Sequence, residues 1–272
     1  MMSEEFFGFA AKLAKEFPDK FVSTMAYSNR EMPPQGVDIP DNMMVKIAPI
    51  SCDVLHPLDT KLYRRAQLRS LLEHWRDLTP HVVIYDYNPG MLTGFFLPER
   101  DVANMAVNAP IYREIDIKGM SREGRKAFMQ TWISYYVSAK LLWDADADVE
   151  AIKHDFYTTF FGDQAGPHVQ AWWDACEQVL GEAKIQPHED FLINHIYTSE
   201  FVRSIRPHLD KARAAVETDA QRERLRVVEL IADHLAAFAA MTDAERALDF
   251  DAAAGHATRM VELKKALHEA DP

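Results

Sequence analysis

Cysteine is scarce in this chain, with only Cys52 and Cys176 among 272 residues. Two cysteines so far apart form neither the short-spaced pairs of a zinc site nor a disulfide framework, so we expect a reducing compartment and no metal centre. Basic residues are also in deficit, because 30 Lys and Arg stand against 42 Asp and Glu for a formal net charge of −12. Nucleic acids and anionic membranes both attract basic surfaces, so we expect neither as a partner.

Long apolar runs are missing as well. No stretch approaches the roughly 18 consecutive apolar residues that cross a bilayer, so the sequence predicts no transmembrane helix. The first seven residues, MMSEEFF, lack the basic and apolar segments of a signal peptide, and the localisation is left open. What the chain does have is a 48% hydrophobic composition, enough for a real core in one large domain or one and a half ordinary ones.

Strand and helix signals alternate over the first half of the chain. This order predicts a mostly parallel sheet with helices packed outside it. A closed (β/α)₈ barrel takes about 250 residues, whereas these strands occupy half the chain, so the pattern indicates a small open sheet or the rear part of a barrel. The predicted strands are 20–27, 43–49, 81–85 and 116–121, and the predicted helices are 6–17, 60–78, 98–111 and 121–143.

The second half carries only helical periodicity. Five helices are predicted over 147–161, 165–183, 191–216, 219–241 and 244–269, which together would form a bundle. The charge-rich stretch that begins at Asp144 is the natural boundary. We therefore predict an α/β domain over 1–145 and a C-terminal helical bundle over 146–272.

The most informative segment is the run VVIYDYNPG at 82–90. Apolar residues predict a short buried strand, and the Pro-Gly turn ends it at once. Asp86 therefore comes where a strand leaves the core, between Tyr85 and Tyr87 and next to Asn88. In α/β barrels catalytic groups lie at this end of the strands. Aromatic rings stack on sugars and carboxylates bind hydroxyls, so we expect Asp86 to be catalytic and its three neighbours to bind substrate. The alternative is an Asp that only caps the loop.

Glu123 is the next acid at a strand end, one βα unit after Asp86. Adjacent strand ends lie side by side in a barrel, so both carboxylates could face one cleft. Paired carboxylates are what glycoside hydrolysis requires. The alternative places Glu123 in the first turn of a helix that begins at Ser121, where negative charge is favoured.

The loop after the second strand contains Cys52, Asp53, His56 and Asp59. The spacing Asp-x₂-His-x₂-Asp matches no standard metal cage, and a Cys52–His56 thiol nucleophile is the weakest interpretation. The favoured interpretation is that His56 binds a substrate hydroxyl. A structural histidine bonded to the backbone is its alternative.

Tyr27 ends the first predicted strand, and Arg30 follows in a polar loop. We expect Tyr27 to contact substrate, and an arginine here could clamp a carboxylate with two hydrogen bonds. The alternative for Arg30 is that it belongs to an ordinary polar loop.

Five segments in this order resemble the DUF4838 family over roughly residues 5–180. They read FPDKFVSTMAYSNREMPP, MMVKIAPISCDVLHPLD, HWRDLTPHVVIYDYN, IKGMSREG and YYVSAKLLWDADADVEAIKHDFYTTFFG. The resemblance implies a relation to α-glucuronidase barrels, so the four strands would be about the last four of a partial (β/α) TIM barrel. It implies that Asp86 and Glu123 match an Asp–Glu pair that serves inverting hydrolysis, although the polar strand before Glu123 departs from the family pattern.

The same resemblance implies that the general acid comes from an earlier strand and that this chain is truncated at its N-terminus. A homodimer, or pairing with a missing N-terminal half, would then complete the barrel. Full-length relatives are often secreted. We therefore expect a glycoside-hydrolase-like protein that acts on or binds polysaccharide or oligosaccharide, including uronic-acid-containing chains, without a cofactor. The alternative is a non-catalytic carbohydrate-binding or protein-interaction fragment.

Overall fold

The computed structural model describes residues 2–50, 55–61, 63–89, 96–123, 128–184 and 190–270. The strands within these ranges are β1 (Val22–Tyr27), β2 (Met43–Ala48), β3 (Val82–Asp86) and β4 (Gly119–Arg122). The α-helices are α1 (Met2–Glu16), α2 (Tyr63–Leu78), α3 (Val102–Glu114), α4 (Phe128–Trp143), α5 (Val149–Phe161), α6 (Gly166–Gly181), α7 (Ser199–Ala215), α8 (Asp219–Arg246) and α9 (Phe250–Ala270). Two 3₁₀ turns cover Ser28–Arg30 and Asp190–His195.

The four strands form one parallel sheet in the order β1-β2-β3-β4. The α/β class and the parallel sheet are therefore confirmed. Parallel neighbours need a crossover between them, and α2 and α3 supply it between β2 and β3 and between β3 and β4. In the described part of the chain, β1 and β4 are the two edges of the sheet.

The two faces of the sheet differ sharply. Side chains alternate along a strand, so every second residue shares a face. One face, here called the covered face, packs into the hydrophobic core under the helices through the buried residues Ala26, Met43, Val45, Ile47, Val82 and Ile84. The other, here called the open face, holds half-buried or exposed residues apart from the buried Ala48; they are Ser23, Met25, Tyr27, Met44, Lys46, Val83, Tyr85, Gly119 and Ser121.

Helix α1 covers the sheet near β1 because small and aromatic residues recur on its inner side. Phe7 is fully buried there, and its ring centroid lies 4.7 Å from that of Trp75 on α2. The outer side of α1 carries Phe9 and Leu13, and Phe17 follows the helix; all three are exposed.

The α-helices described in the second half are α5–α9, which equal the predicted number, and several have caps that match their sequence. Asp148 caps α5, Thr198 caps α7, and Thr218 forms a capping box at the start of α8. Helices α5 and α6 approach closely at Gly166, where a Cβ would lie 2.5 Å from the Tyr157 carbonyl oxygen. One hydrophobic core runs through both halves of the chain, and the division at residue 145 remains a prediction. Among the described helices, none has the length and apolarity to cross a bilayer.

Most of the predicted elements begin or end a few residues from their predicted limits, and three of these differences involve Ser121, Pro98 and the segment 191–216. Ser121 lies inside β4, so it does not cap a helix there. Helix α3 begins at Val102, later than the Pro98 start that was predicted. The single helix predicted over 191–216 is a 3₁₀ turn followed by α7.

Candidate functional site

A row of side chains crosses the open face near the carboxyl ends of the strands. Tyr27 on β1 is in register with Ala48 on β2, and Tyr85 on β3 is in register with Ser121 on β4. Continuing the β2–β3 register brings Ala48 beside Tyr85. A small alanine, which is fully buried, therefore separates the two aromatic residues.

Tyr87 and Glu123 follow on the same face, one step further toward the carboxyl ends. The Tyr85 and Tyr87 rings meet edge to face with their centroids 5.3 Å apart. Burial raises the pKa of the Tyr87 phenol to about 12, and the charges of Tyr27, Tyr85 and Glu123 together with a hydrogen bond to Tyr27 contribute further. These four side chains therefore interact as one group, here called the tyrosine cluster.

The position of Glu123 follows from β4. Its backbone N–H donates to the Asp86 carbonyl at 2.9 Å, so it continues the ladder one residue beyond the strand. Alternation then gives it the same face as Ser121. Glu123 is thus a strand-end residue, as predicted, and the alternative that placed it in a helical first turn does not describe it.

Asp86 occupies the opposite, covered face. Its Oδ2 accepts from Arg122 Nη2 at 2.8 Å, and its Oδ1 accepts from the Asn88 backbone N–H at 3.2 Å. Arg122 also donates to Asp101, at 2.9 Å for Nη1 to Oδ2, and to the Ser138 hydroxyl. The side chains of Asp86, Arg122 and Asp101 are only 20%, 7% and 3% exposed.

This buried ionic group fixes the end of the sheet against α3 and α4. Burial raises the pKa of Asp101, although the Arg122 charge acts in the other direction. Burial of Arg122 acts to lower the pKa of its guanidinium, but the charges and hydrogen bonds of Asp101 and Asp86 have a larger effect and raise that pKa. Since Asp86 and Glu123 lie on opposite faces, the structure does not bring the two predicted catalytic carboxylates together.

Glu177 caps a distant helix, and the sequence analysis does not predict this role. Its carboxylate on α6 accepts from the backbone N–H groups of Asp101, Val102 and Ala103 at 3.0, 2.8 and 2.9 Å. It therefore caps the N-terminus of α3 from 74 to 76 residues away. No local sequence signal reveals a cap at that separation. Asp101, the residue at the cap position, uses its own carboxylate on Arg122 and makes no cap hydrogen bond.

Other predicted site residues lie elsewhere. His56 is buried, and its Nε2 is 2.9 Å from the Ala183 carbonyl oxygen, which matches the backbone-bonded alternative. The Arg30 guanidinium lies 4.5 Å from the centroid of the Phe6 ring on α1. Asn88 is buried, and its backbone N–H donates to Asp86.

The loop residues Cys52 and Asp53 lie outside the described residues, and Asp59 is exposed. Within the described ranges, no group of three or more metal-ligating side chains converges. The substrate-binding roles predicted for Tyr27, Tyr85 and Tyr87 remain predictions, and the structure brings these three together.

A family model described as "Domain of unknown function (DUF4838)" matches residues 1–174. The chain belongs to the DUF4838 family. The resemblance inferred from the five sequence segments is thereby confirmed. No curated protein and no solved structure matches the chain. The relation to glycoside hydrolases and the truncation remain expectations.

Proposed function

We propose that this DUF4838 protein binds an oligosaccharide or polysaccharide on the open face of its sheet, at the tyrosine cluster, as part of a glycoside-hydrolase-like site. The observation that carries the proposal is the convergence of Tyr27, Tyr85, Tyr87 and Glu123 on one face at the carboxyl ends of parallel strands. Tyrosine rings offer flat apolar surfaces together with a hydroxyl, and the carboxylate accepts hydrogen bonds from sugar hydroxyls. Ligands bind at this end of the strands in α/β folds generally.

For catalysis, the geometry favours Glu123 over Asp86. A general acid or base must reach the substrate, and Glu123 shares its face with the tyrosines. Asp86 is held by Arg122 on the covered face, where its role is to fix the strand end. Hydrolysis needs a second carboxylate, about 5–5.5 Å away for a retaining mechanism or 6.5–9.5 Å for an inverting one. We propose Glu123 as one member of that pair.

We also propose that the sheet is a segment of a (β/α) barrel. Sequential order, parallel pairing and helices on one face are the features of a barrel wall. The open face would then be the inner surface, where side chains fill the barrel centre and line its mouth.

Calorimetric titration with oligosaccharides tests the binding site. We expect Tyr85→Ala to weaken binding by about tenfold to a hundredfold, since loss of an aromatic contact of this kind costs about 1.5–3 kcal/mol. Trp143→Ala is the matched control, because Trp143 is an aromatic residue that is 93% exposed at the end of α4. Equal affinity of wild type and Tyr85→Ala for a sugar that binds would contradict the site.

Turnover separates a hydrolase from a binding module. With aryl glycosides and oligosaccharides as substrates, Glu123→Gln should abolish hydrolysis while sugar binding persists. Glu5→Gln, an exposed carboxylate on α1, is the control. Binding without turnover by the wild type would favour the carbohydrate-binding alternative. Hydrolysis that survives Glu123→Gln would remove Glu123 from the mechanism.

Self-association is a second candidate, favoured by the position of β1 at an edge of the described sheet and by the exposed residues Phe9, Leu13 and Phe17 beside it. We propose a second copy as the occupant, because Glu5 and Lys12 lie on the exposed side two turns apart. An antiparallel α1–α1 pairing across a twofold axis would bring each Glu5 against the other copy's Lys12. Light scattering should give twice the mass of the chain and, for Phe9→Glu, the mass of one copy. A monomeric wild type refutes this candidate.

A further inference from the structure

Lys46 is an unusual residue for its position. It lies in the middle of β2, a central strand of the described sheet, in register with Met25 on one side and Val83 on the other. Central parallel strands are normally apolar runs, because they are covered on both faces. Alternation places Lys46 on the open face with Ala48, and the lysine is half-buried there.

The described residues provide no carboxylate to neutralise this charge. No ion pair with Lys46 forms within the described ranges, where Asp86 is on the covered face and bound to Arg122. Glu123 is on the open face, but it lies two strands away from β2 and four residues further along the strand direction than Gly119, the β4 residue level with Lys46. Strand spacings of about 4.8 Å and 3.3 Å per residue put its Cα about 16 Å from that of Lys46.

We infer that Lys46 selects an anionic sugar on the open face, pairing its ammonium with an acid group of the ligand. The inference rests on the proposed function and names its substrate class. Lys46 is one row from the row of Tyr27, Ala48 and Tyr85, which is about 6.6 Å along the strand. An extended lysine side chain covers that distance, so a sugar that contacts the half-buried ring of Tyr27 or Tyr85 in this row would bring an exocyclic acid group to the ammonium.

Carboxylate and sulfate groups share this chemistry, and an experiment can distinguish them. The ligands are three oligosaccharides of equal length: neutral, carboxylated and sulfated. The proteins are wild type, Lys46→Met, Lys46→Arg and, as a control, Lys265→Met, which removes an exposed lysine from α9. Calorimetry at low and high salt gives the affinities, and thermal melting confirms that each variant is folded.

We expect the wild type to bind one acidic ligand about tenfold or more tightly than the neutral one, because a hydrogen bond between charged groups is stronger than one between neutral groups. Lys46→Met should remove this preference. Lys46→Arg and Lys265→Met should retain it, and salt should weaken it. The acidic ligand that shows the preference identifies the group.

The experiment distinguishes failure of this inference from failure of the proposed function. Neutral and acidic ligands that bind equally to the wild type, or a preference that survives Lys46→Met, would overturn the inference and leave the proposed function standing. Lys46 would then be a lysine whose stem covers apolar neighbours while its ammonium remains in water. Absence of binding by all three ligands would overturn the proposed function as well.

Discussion

The cap that Glu177 provides to α3 should leave a signature in the pH dependence of stability. Burial raises the pKa of Glu177 from 4.5 to about 7, and the nearby charge of Asp101 adds to this increase. The hydrogen bonds from the backbone N–H groups and the charge of Arg100 act in the opposite direction, because they favour the ionised carboxylate. The unfolded chain releases this proton near pH 4.5, whereas the folded chain keeps it until about pH 7. The unfolded state therefore binds fewer protons in this window, and the free energy of unfolding falls as the pH rises.

The magnitude follows from the size of the shift. A change of one pKa unit corresponds to about 1.4 kcal/mol, so the loss between pH 4.5 and 7 is about 3 kcal/mol. His234 acts in the opposite direction, because burial and the Lys264 charge lower its pKa from 6.5 to about 4. The unfolded chain takes up that proton below pH 6.5 and the folded chain does not, so stability falls as the pH falls. The two contributions nearly cancel between pH 4.5 and 6.5.

Comparison of the wild type with Glu177→Gln isolates the first contribution. At pH 4.5 the folded wild type keeps Glu177 protonated, with one acceptor oxygen and one hydroxyl donor, so glutamine is close to its neutral isostere and the two proteins should have similar stability. The wild type should then become less stable than the variant by about 3 kcal/mol as the pH rises from 4.5 to 7, since only the wild type has the titrating proton. Urea unfolding at half-unit steps of pH gives both curves. Parallel curves of the free energy of unfolding across this window would refute the reasoning. In His234→Gln the opposing contribution of His234 is removed, so the free energy of unfolding should fall with rising pH through Glu177 alone.

Three further changes test the packing around the site. Arg122→Met should destabilise the fold by about 3–5 kcal/mol in urea unfolding, because it leaves buried Asp101 unpaired; a loss under 1 kcal/mol would contradict a buried ion pair. Ala48→Leu should overpack the fully buried position between Tyr27 and Tyr85 and lower stability by about 1–3 kcal/mol in urea unfolding; unchanged stability would contradict the close packing at Ala48. Gly166→Ala should lower stability by about 1–3 kcal/mol, since its Cβ meets backbone of α5, and a neutral result would contradict that close approach.

The order of elements in the α/β half was predictable because strands and helices have distinct periods and clear turn signals. Predicted strands 43–49 and 81–85 lie within a residue of β2 and β3. The face of Asp86 was harder to read. Its strand begins with four apolar or aromatic residues, which conceals alternation, yet Val82 and Ile84 are buried and Asp86 shares their parity. Tyr85 has the other parity, and so does Tyr87.

Contacts between distant segments could not be predicted from local pattern. A cap is normally recognised within a turn of the helix that it serves, and Asp101 has the right type and position for that role. The ion pair with Arg122 engages the Asp101 carboxylate, which leaves the first N–H groups of α3 to Glu177.

These two long-range contacts connect the helical half to the candidate site. The strand that ends next to Glu123 is fixed through Arg122 to Asp101, and Asp101 immediately precedes α3, the helix that Glu177 of α6 caps. The helical half therefore helps to position the carboxylate on the open face, and the activity proposed for residues of the sheet should depend on helices more than 50 residues away.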